Sequence, residues 1–196
     1  METYQLNQVV SFKKTREPYG EFSNMCGGFQ ILLDGESFLT TEALYQACRF
    51  PDFPEIQRAI QAEPSPMGAK MRSKPFRPLE LGFNRPDFDD LRLQIMDWCL
   101  HLKLAQHYTR FGEVLQRSGA YPIVELSHRD KYWGAVGTPR QEPTEYIGHN
   151  YLGKLLMKLR TEMNEKSKEE LLIVPKPNIP NFKLFGKEVQ DYAPLH

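Results

Sequence analysis

Residues 29–50 read FQILLDGESFLTTEALYQACRF, and this stretch decides the predicted fold. Two short apolar runs flank Asp34 and Gly35, a pair typical of a hairpin turn. Thr40 and Thr41 then supply candidate N-cap side chains for a helix that continues to about residue 50. The stretch therefore predicts a β-hairpin that passes directly into a helix.

Helix signals dominate the sequence on both sides of this stretch. Apolar residues recur at three- and four-residue spacing after Asp87 and after Asn150, which predicts two long helices. Ser65 followed by Pro66 is an N-cap and first-turn pattern for a shorter helix. The predicted strands are 9–13, 29–33, 37–39 and 121–126, the other predicted helices are 54–61, 66–72, 88–108, 109–119 and 150–162, and 134–143 is a predicted loop.

The pattern as a whole predicts an α+β, mostly helical single domain with a small antiparallel sheet. We expect this domain to span residues 1–162. Residues 163–196 form a predicted extended C-terminal tail that packs on the domain, because its prolines favour an extended chain. A hydrophobic share of 40% in a chain of 196 residues is enough for one sizeable core.

The charges of the chain balance, with 25 lysines and arginines against 25 aspartates and glutamates. A neutral chain is not built to coat nucleic acid non-specifically, although a local basic pocket for a phosphate remains open. The N-terminus lacks the features of a signal peptide, and no apolar run reaches the ~20 residues of a membrane helix. We therefore expect a cytoplasmic protein with no membrane partner and with its three cysteines reduced in or near the core. The five histidines lack metal-site spacing, so we expect no metal and no cofactor.

Glu42 and Gln46 are the first candidate pair for a reaction centre. They lie four residues apart in the predicted helix after Thr40, so both side chains share one helix face and could point into one cleft. The helix dipole stabilises a carboxylate at this end in its anionic form. The same pattern also fits a glutamate that only favours the first turn, and spacing alone leaves both interpretations open.

A second candidate is the segment SHRDKYWG, residues 127–134, which follows a predicted strand. Trp133 offers a flat surface for stacking a nucleobase, and Asp130 could hold a ribose hydroxyl or a water molecule. Loops at strand ends are common positions for functional sites. The alternative interpretation is a tryptophan packed in the core beside an aspartate turn.

Three further segments carry side chains suited to a nucleotide. Ser23 and Asn24 lie in a predicted loop and could bond a polar ligand, or could form a simple turn. Asn150 could cap the last helix, whose free N-terminal amides suit an anion such as pyrophosphate, or could be a plain N-cap. The densest basic patch, which also fits a solvated surface run, consists of Lys70, Arg72, Lys74 and Arg77.

Taken together, five ordered segments of the sequence resemble the NADAR family, which includes the YbiA-type N-glycosidases. The resemblance covers about residues 9–162 and leaves the tail outside. The matching segments are Phe22-Ser23-Asn24; Thr41-Glu42 with Tyr45-Gln46-Ala47; Ser65-Pro66-Met67; Asp130 with Tyr132-Trp133-Gly134; and Gly148 with Asn150, Leu152, Gly153, Leu156, Met157, Leu159 and Arg160.

The resemblance implies hydrolysis of an N-glycosidic bond between ribose and a base. One branch of the family acts on phosphoribosylamino-pyrimidine intermediates of riboflavin synthesis. Another branch removes ADP-ribose from guanine in nucleic acid, as the antitoxin to a DarT-type transferase. We expect the second activity here, with an ADP-ribosylated nucleic acid or nucleotide as the substrate and a DarT-type toxin as the genetic partner. The alternatives are the riboflavin intermediate or a non-catalytic ADP-ribose-binding module.

Carried over by motif, the catalytic glutamate of the family falls on Glu42, and the aspartate and tryptophan of its D-x-x-W-G element fall on Asp130 and Trp133. These matches make Glu42 and Asp130 the expected catalytic residues, with Lys70 as a third candidate. The expected substrate-binding residues are Ser23, Asn24, Gln46, Phe88, Tyr132, Trp133, Gly134 and Asn150.

Two positions depart from the YbiA-type pattern. Phe88 stands where that branch has a tryptophan, and Lys70 stands where it has an arginine. Both departures weigh against the riboflavin intermediate as the substrate. A lysine could attack the anomeric carbon and form a Schiff base with opened ribose, and Lys13 with Lys14 is a second location for that role. Lys70 could instead bind a phosphate as a point charge.

Overall fold

The computed structural model describes residues 1–138 and 143–194, and within them it contains nine strands and seven α-helices. The strands are β1 (Glu2–Gln5), β2 (Val10–Phe12), β3 (Ile31–Leu33), β4 (Glu36–Phe38), β5 (Ile123–Ser127), β6 (Ala135–Gly137), β7 (Glu145–Gly148), β8 (Lys183–Leu184) and β9 (Lys187–Glu188). The helices are α1 (Thr41–Ala47), α2 (Pro54–Gln61), α3 (Pro66–Ser73), α4 (Phe88–Gln106), α5 (Tyr108–Arg117), α6 (Tyr151–Glu165) and α7 (Lys168–Leu172). The predicted α+β, mostly helical class is confirmed.

The chain folds into two compact units, and each unit is built from two separate stretches of sequence. The sheet unit comprises Met1–Ser23 and Thr109–Ser167. The helical unit comprises Asn24–Tyr108 and the residues from Lys168 onward. Helices α1 to α4 and α7 belong to the helical unit, together with the hairpins β3–β4 and β8–β9, and the remaining strands belong to the sheet unit.

A five-stranded sheet in the order β1-β7-β6-β5-β2 organises the sheet unit. β7 pairs antiparallel with both β1 and β6. β5 instead runs parallel to β2 and to β6, with Val10 opposite Ile123 and Leu126 opposite Ala135. The predicted small antiparallel sheet is therefore corrected to a mixed sheet. The chain between β2 and β5 contains five helices, and such a long crossover allows parallel pairing.

Three strands of this sheet carry no clear sequence signal. The sequence does not predict β1 or β7, and it predicts a loop where β6 forms at Ala135–Gly137. A strand of three residues is too short to show an alternating pattern, so its pairing with β5 and β7 decides its conformation. Residues 139–142 of the predicted loop lie outside the described residues.

Aromatic rings and the apolar stripe of α6 fill the interior of the sheet unit. Phe22 is fully buried, and its ring meets the edges or faces of Phe12 and Phe111 at centroid distances of 5.7 and 6.3 Å. Leu156 and Leu159 of α6 are also fully buried. The three- and four-residue spacing that predicted this helix therefore identifies its buried face correctly.

The hairpin and helix of residues 29–50 form as predicted in the helical unit. Asp34 and Gly35 have φ angles of 50° and 80°, as a two-residue turn with left-handed backbone requires. Thr40 is the N-cap of α1, and its hydroxyl oxygen accepts a hydrogen bond from the Ala43 N–H at 3.3 Å. The helix ends at Ala47, slightly earlier than predicted.

The starts of α3 and α4 lie where the sequence places them, but only one is capped as expected. The Ser65 hydroxyl accepts from the Gly68 N–H at 3.0 Å and caps α3. Asp87 precedes α4 without a side-chain cap bond, and its carboxylate instead pairs with the Arg85 Nε at 2.6 Å. Because the Arg85 side chain is buried, its charge requires this partner, and Asp87 supplies it.

The C-terminal tail contributes to the core of the helical unit, and it is not extended throughout as predicted. α7 and the β8–β9 hairpin interrupt the extended run. Ile179, Phe182 and Val189 are buried, and the Phe182 ring meets Trp98 of α4 edge to face at 5.1 Å. Burial of these apolar side chains offsets the entropy cost of ordering this part of the chain.

The three cysteines are buried, as predicted for Cys26, Cys48 and Cys99. Burial raises the pKa of the Cys99 thiol, and the neighbouring Cys48 adds to this rise. Across residues 1–138 and 143–194, no helix combines the length and the apolar character that a membrane crossing needs.

Candidate active site

The predicted site residues are divided between the two units. The helical unit contains Asn24, Glu42, Gln46, Lys70 and Phe88. The sheet unit contains Ser23, Asp130, Tyr132, Trp133, Gly134 and Asn150.

Glu42 is a buried carboxylate in the first turn of α1, and its side chain is only 7% exposed. Its backbone N–H donates to the Asn24 carbonyl at 3.0 Å, which fixes the start of the helix. Its Oε1 accepts from the Gln46 Nε2 at 2.9 Å. The predicted sharing of one helix face by Glu42 and Gln46 is therefore a direct hydrogen bond. A buried carboxylate held in this way is suited to stabilise a nearby positive charge.

Gln46 connects Glu42 to Arg49, which the sequence did not single out, and through Ser73 to Arg77 of the predicted basic patch. The Gln46 Oε1 accepts from the Arg49 Nε at 2.9 Å and lies 3.0 Å from the Ser73 hydroxyl. The Ser73 oxygen accepts from the Arg77 Nη2 at 2.6 Å. Arg49 could have been found, because it lies three residues after Gln46 in the sequence. Ser73 carries no such signal, because only the packing of α3 brings it here.

Arg49 also lies over an aromatic ring. Its guanidinium carbon is 3.7 Å from the centroid of Phe88, and the Phe88 ring meets the Tyr45 ring at 5.6 Å. Burial lowers the pKa of Arg49 to about 10, while Tyr45 and Glu42 act in the opposite direction. The group thus stays charged at neutral pH. Phe88 is 2% exposed and packs beneath this cation.

The basic patch predicted around Lys70 is not one solvated run. Arg72 pairs with Glu63 at 2.7 Å, whereas Arg77 turns inward and donates to the Lys70 carbonyl at 2.8 Å. Burial lowers the pKa of Arg77. Lys70 is half-buried in the last turn of α3, and Lys74 is exposed. Lys70 in α3 and Lys74 directly after it therefore differ in exposure, and both lie close in sequence to the half-buried Arg77.

The other lysine candidates lie in the sheet unit. Lys13 and Lys14 are both exposed, and the Lys14 ammonium pairs with Glu17 at 3.3 Å. This exposed setting differs from the half-buried position of Lys70. Solvent exposure gives an amine little of the desolvation that makes a lysine nucleophilic at neutral pH.

Asn24 is 6% exposed, and only one of its two side-chain polar atoms has a hydrogen-bond partner among the described residues. Its Nδ2 donates to the Met96 sulfur at 3.0 Å. Among the residues that the structure describes, no donor reaches the buried Asn24 Oδ1. A buried amide oxygen without a partner is costly, so it is suited to accept a hydrogen bond from a ligand. Ser23, in the sheet unit, is 9% exposed.

Asp130 builds the turn that presents Trp133. Its Oδ1 accepts from the backbone N–H groups of Tyr132 and Trp133 at 2.8 and 2.9 Å, and Asp130 itself is exposed. This is the aspartate turn that the alternative interpretation of residues 127–134 predicts. Trp133 is half-buried and meets the Tyr132 ring at 5.1 Å. An indole that is not enclosed in the core can stack on a flat ligand.

Two further rings continue this aromatic surface. Tyr132 lies 4.6 Å from Tyr151, and the rings of Tyr151 and His149 stack with an interplanar angle of 2°. Tyr132, His149 and Tyr151 are half-buried. Neither His149 nor Tyr151 is a predicted site residue, because their stacking depends on how α6 begins, which no local sequence pattern records.

Asn150 holds the start of α6 on the sheet. It is fully buried, its Nδ2 donates to the Ile123 carbonyl at 2.8 Å, and its Oδ1 accepts from the Glu125 N–H at 3.1 Å. The interpretation that the amides at this helix end are free is wrong, because the N–H groups of Tyr151 and Leu152 donate to the carbonyls of Tyr132 and Trp133. An anion would have to displace these bonds.

Gly134 lies directly before β6, where its backbone approaches Glu125 of β5. A side chain at this position would place its Cβ 2.5 Å from the Glu125 carbonyl oxygen, which is too close for any residue with a side chain. The close approach of two backbones therefore requires glycine here. This geometry gives Gly134 a structural reason to occur in the Trp133 motif, independent of any ligand.

The large cavity of the helical unit, about 650 Å³, lies away from Glu42. Its walls are the β3–β4 hairpin, the end of α4 and residues 191–194 of the tail. None of the predicted site residues lines it. Within residues 1–138 and 143–194, no three histidine, cysteine, aspartate or glutamate side chains are grouped so as to hold a metal ion.

Comparison with known proteins gives a family match over most of the chain. A family model described as NADAR domain matches residues 11–164. N-glycosidase YbiA of Escherichia coli (strain K12) is 31% identical over 159 residues, which cover 79% of this chain and 88% of that protein. An N-glycosidase of Nostoc punctiforme is 29% identical, and the alignment covers 79% of this chain and 92% of that protein.

Two other comparisons extend this result. The riboflavin biosynthesis protein PYRR, chloroplastic, of Zea mays is 31% identical over 173 residues, which cover 82% of this chain and 26% of that protein. The NMR structure of E. coli YbiA is 28% identical and has a TM-score of 0.63. The match covers 83% of this chain and 88% of that structure.

Proposed function

This chain belongs to the NADAR domain family, and we propose that it is an N-glycosidase that removes ADP-ribose from guanine in nucleic acid. Relatives that are named N-glycosidases support its general role in cleaving an N-glycosidic bond. ADP-ribosyl-guanine as the substrate is the finer part of the proposal. Its genetic partner would then be a DarT-type transferase, and a neighbouring gene of that kind would support the assignment.

The observation that carries the proposal is the buried Glu42 carboxylate, which interacts electrostatically with Arg49 and Arg77. Cleavage of a ribosyl C–N bond passes through an oxocarbenium-like state, and a held carboxylate stabilises the positive charge that develops on the sugar. The cations that follow α1 and those in or after α3 suit the phosphates of the same substrate. They are Arg49, Lys70, Lys74 and Arg77. Four cations favour a diphosphate over a monophosphate.

Glu42 stabilises the sugar cation or acts as the general base in this mechanism. Asp130 orients the ribose or the attacking water, and Trp133 stacks on the base or on adenine. As the C–N bond breaks, its electron pair stays with the guanine amino nitrogen, and this nitrogen takes up a proton. Water supplies the hydroxyl that completes ADP-ribose.

A covalent route through Lys70 is the second form of the mechanism. The neutral amine attacks the anomeric carbon as the bond to guanine breaks, and guanine leaves with a proton. Opening of the ribose ring then gives a Schiff base, which water hydrolyses to release ADP-ribose and the free lysine. If Lys70 instead stays protonated, it binds a phosphate as a point charge.

The second candidate substrate is a phosphoribosylamino-pyrimidine. The observation in its favour is that relatives from Zea mays and Vibrio vulnificus are named riboflavin biosynthesis proteins. A third candidate, from another functional class, is an ADP-ribose-binding module without turnover. Release of free ADP-ribose would indicate the first function, and release of free ribose phosphate would indicate the second. Tight binding without turnover would indicate the third.

Glu42→Gln tests the proposed function directly. The purified wild-type protein should release free ADP-ribose from an ADP-ribosylated DNA oligonucleotide, and the variant should be slower by more than ~10²-fold because it loses the charged carboxylate. Chromatography of the released nucleotide measures both rates. A phosphoribosylamino-pyrimidine is assayed in parallel. Near-wild-type turnover in a folded variant would remove Glu42 from the mechanism, and turnover of the pyrimidine alone would replace the substrate.

A further inference from the structure

Hydrogen bonds lead from two arginines to the Glu42 carboxylate through one glutamine. Arg49 donates to the Gln46 Oε1 at 2.9 Å, and the Gln46 Nε2 donates to Glu42 at 2.9 Å. Ser73, which accepts from Arg77, lies 3.0 Å from the same Gln46 oxygen. We propose that Gln46 is a positioning residue, which these groups hold so that it orients Glu42 for the glycosidic step. This inference rests on the proposed function.

The chemistry of the donors fixes the orientation of the Gln46 amide. A guanidinium can only donate hydrogen bonds, so the atom of Gln46 that faces Arg49 must be the oxygen. The amide nitrogen then faces the Glu42 carboxylate, which accepts. The flipped amide would place its nitrogen against a donor and its oxygen against a carboxylate, and both contacts would be unfavourable. The glutamine therefore has one orientation that satisfies both ends.

The centre of the network is buried at Gln46, Glu42 and Ser73, and the two arginines are half-buried. Gln46 is 3% exposed and Ser73 is fully buried. In a low-dielectric interior a hydrogen bond to a charged group is stronger than in water, and a lost partner is costly. Glu42 also favours the charged forms of Arg49 and Arg77, whose pKa values burial lowers. Carboxylate and guanidinium groups thus support each other across Gln46.

This arrangement differs from the substrate-binding role that the sequence suggests for Gln46. Its oxygen receives the Arg49 donor and lies within reach of Ser73, and its nitrogen donates to Glu42. A residue that binds substrate directly changes KM when it is removed. A residue that acts through Glu42 changes kcat and leaves KM nearly constant, because its effect appears in the transition state.

Gln46→Met tests the proposal, since methionine keeps the length of the side chain but cannot donate. We expect kcat to fall by about ten- to a hundredfold with KM changed less than about twofold. Ser73→Ala should show a smaller fall in kcat, because Arg49 still holds the amide. Gln190→Met is the matched control, because Gln190 is exposed in the same unit and should keep both constants. A rise in KM with kcat unchanged would overturn the proposal.

A second measurement needs no substrate and stands if Gln46→Met does not fold. In protein labelled with ¹⁵N-glutamine, the Gln46 side-chain amide signal is identified by its absence from Gln46→Met or by its shift in Ser73→Ala. We expect this signal to move in Glu42→Gln, because its acceptor loses its charge. An unmoved signal would defeat the positioning role alone. Absence of wild-type turnover on every substrate would defeat the proposed function and the catalytic role with it.

Discussion

At the scale of single residues, the stacking role of the half-buried Trp133 can be tested by two substitutions. Trp133→Ala should raise KM by about 5- to 150-fold, because stacking on a base contributes about 1–3 kcal/mol. Trp133→Phe should lose only part of this, because phenylalanine keeps an aromatic face. Near-ultraviolet circular dichroism checks the fold of both variants. If both unfold, the tryptophan is a core residue and the stacking role is wrong.

Chemical trapping on Lys70 distinguishes a covalent route from a phosphate contact. Borohydride added during turnover should reduce a Schiff base to a stable amine, and the intact mass should then rise by one ADP-ribose. Peptide mapping should place the adduct on Lys70, with Lys13 and Lys14 as the other positions. Rapid turnover without an adduct would argue against the covalent route. Activity retained in Lys70→Arg would leave Lys70 with its phosphate role only, because arginine keeps the charge.

At the scale of single elements, the start of α6 depends on Asn150. Asn150→Ala removes two hydrogen bonds to β5, one of them buried, and places alanine at a φ of 52°, so the free energy of unfolding should fall by about 2–4 kcal/mol. Urea unfolding measures this change. Asn164→Ala is the control, because Asn164 is exposed on the same helix. A variant that keeps its stability but loses substrate affinity would show that Asn150 serves the ligand instead.

Elements with local signals could be predicted from the sequence, and elements without them could not. Thr40, Ser65 and the Asp34-Gly35 turn act on neighbours within a few residues, so their patterns are visible in the chain. β6 depends on partners that lie far away in sequence, and no local pattern records them. The candidate site divides in the same way. Helix spacing finds Glu42 with Gln46, whereas the contact of Gln46 with Ser73 requires the packing of α3.

At the scale of the whole molecule, stability depends on the C-terminal tail. Phe182→Ala should lower the free energy of unfolding by about 3–5 kcal/mol, because a buried ring against Trp98 is replaced by a cavity. Urea or thermal unfolding measures the loss. Lys176→Ala, at an exposed position of the same tail, should change stability by less than about 0.5 kcal/mol. An equally small change in the free energy of unfolding for both variants would show that the tail contributes little to the core.

The division of the helical unit into two stretches of sequence has a consequence for biosynthesis. A ribosome makes α1 to α4 first, and Thr109–Ser167 must follow before the buried residues of the tail emerge. At synthesis rates of about 5–20 residues per second, this delay lasts about 3–12 s. During that time the nascent helices lack the side chain that covers Trp98. We therefore expect newly made chains to be clients of chaperones that bind exposed apolar surface until translation nears its end.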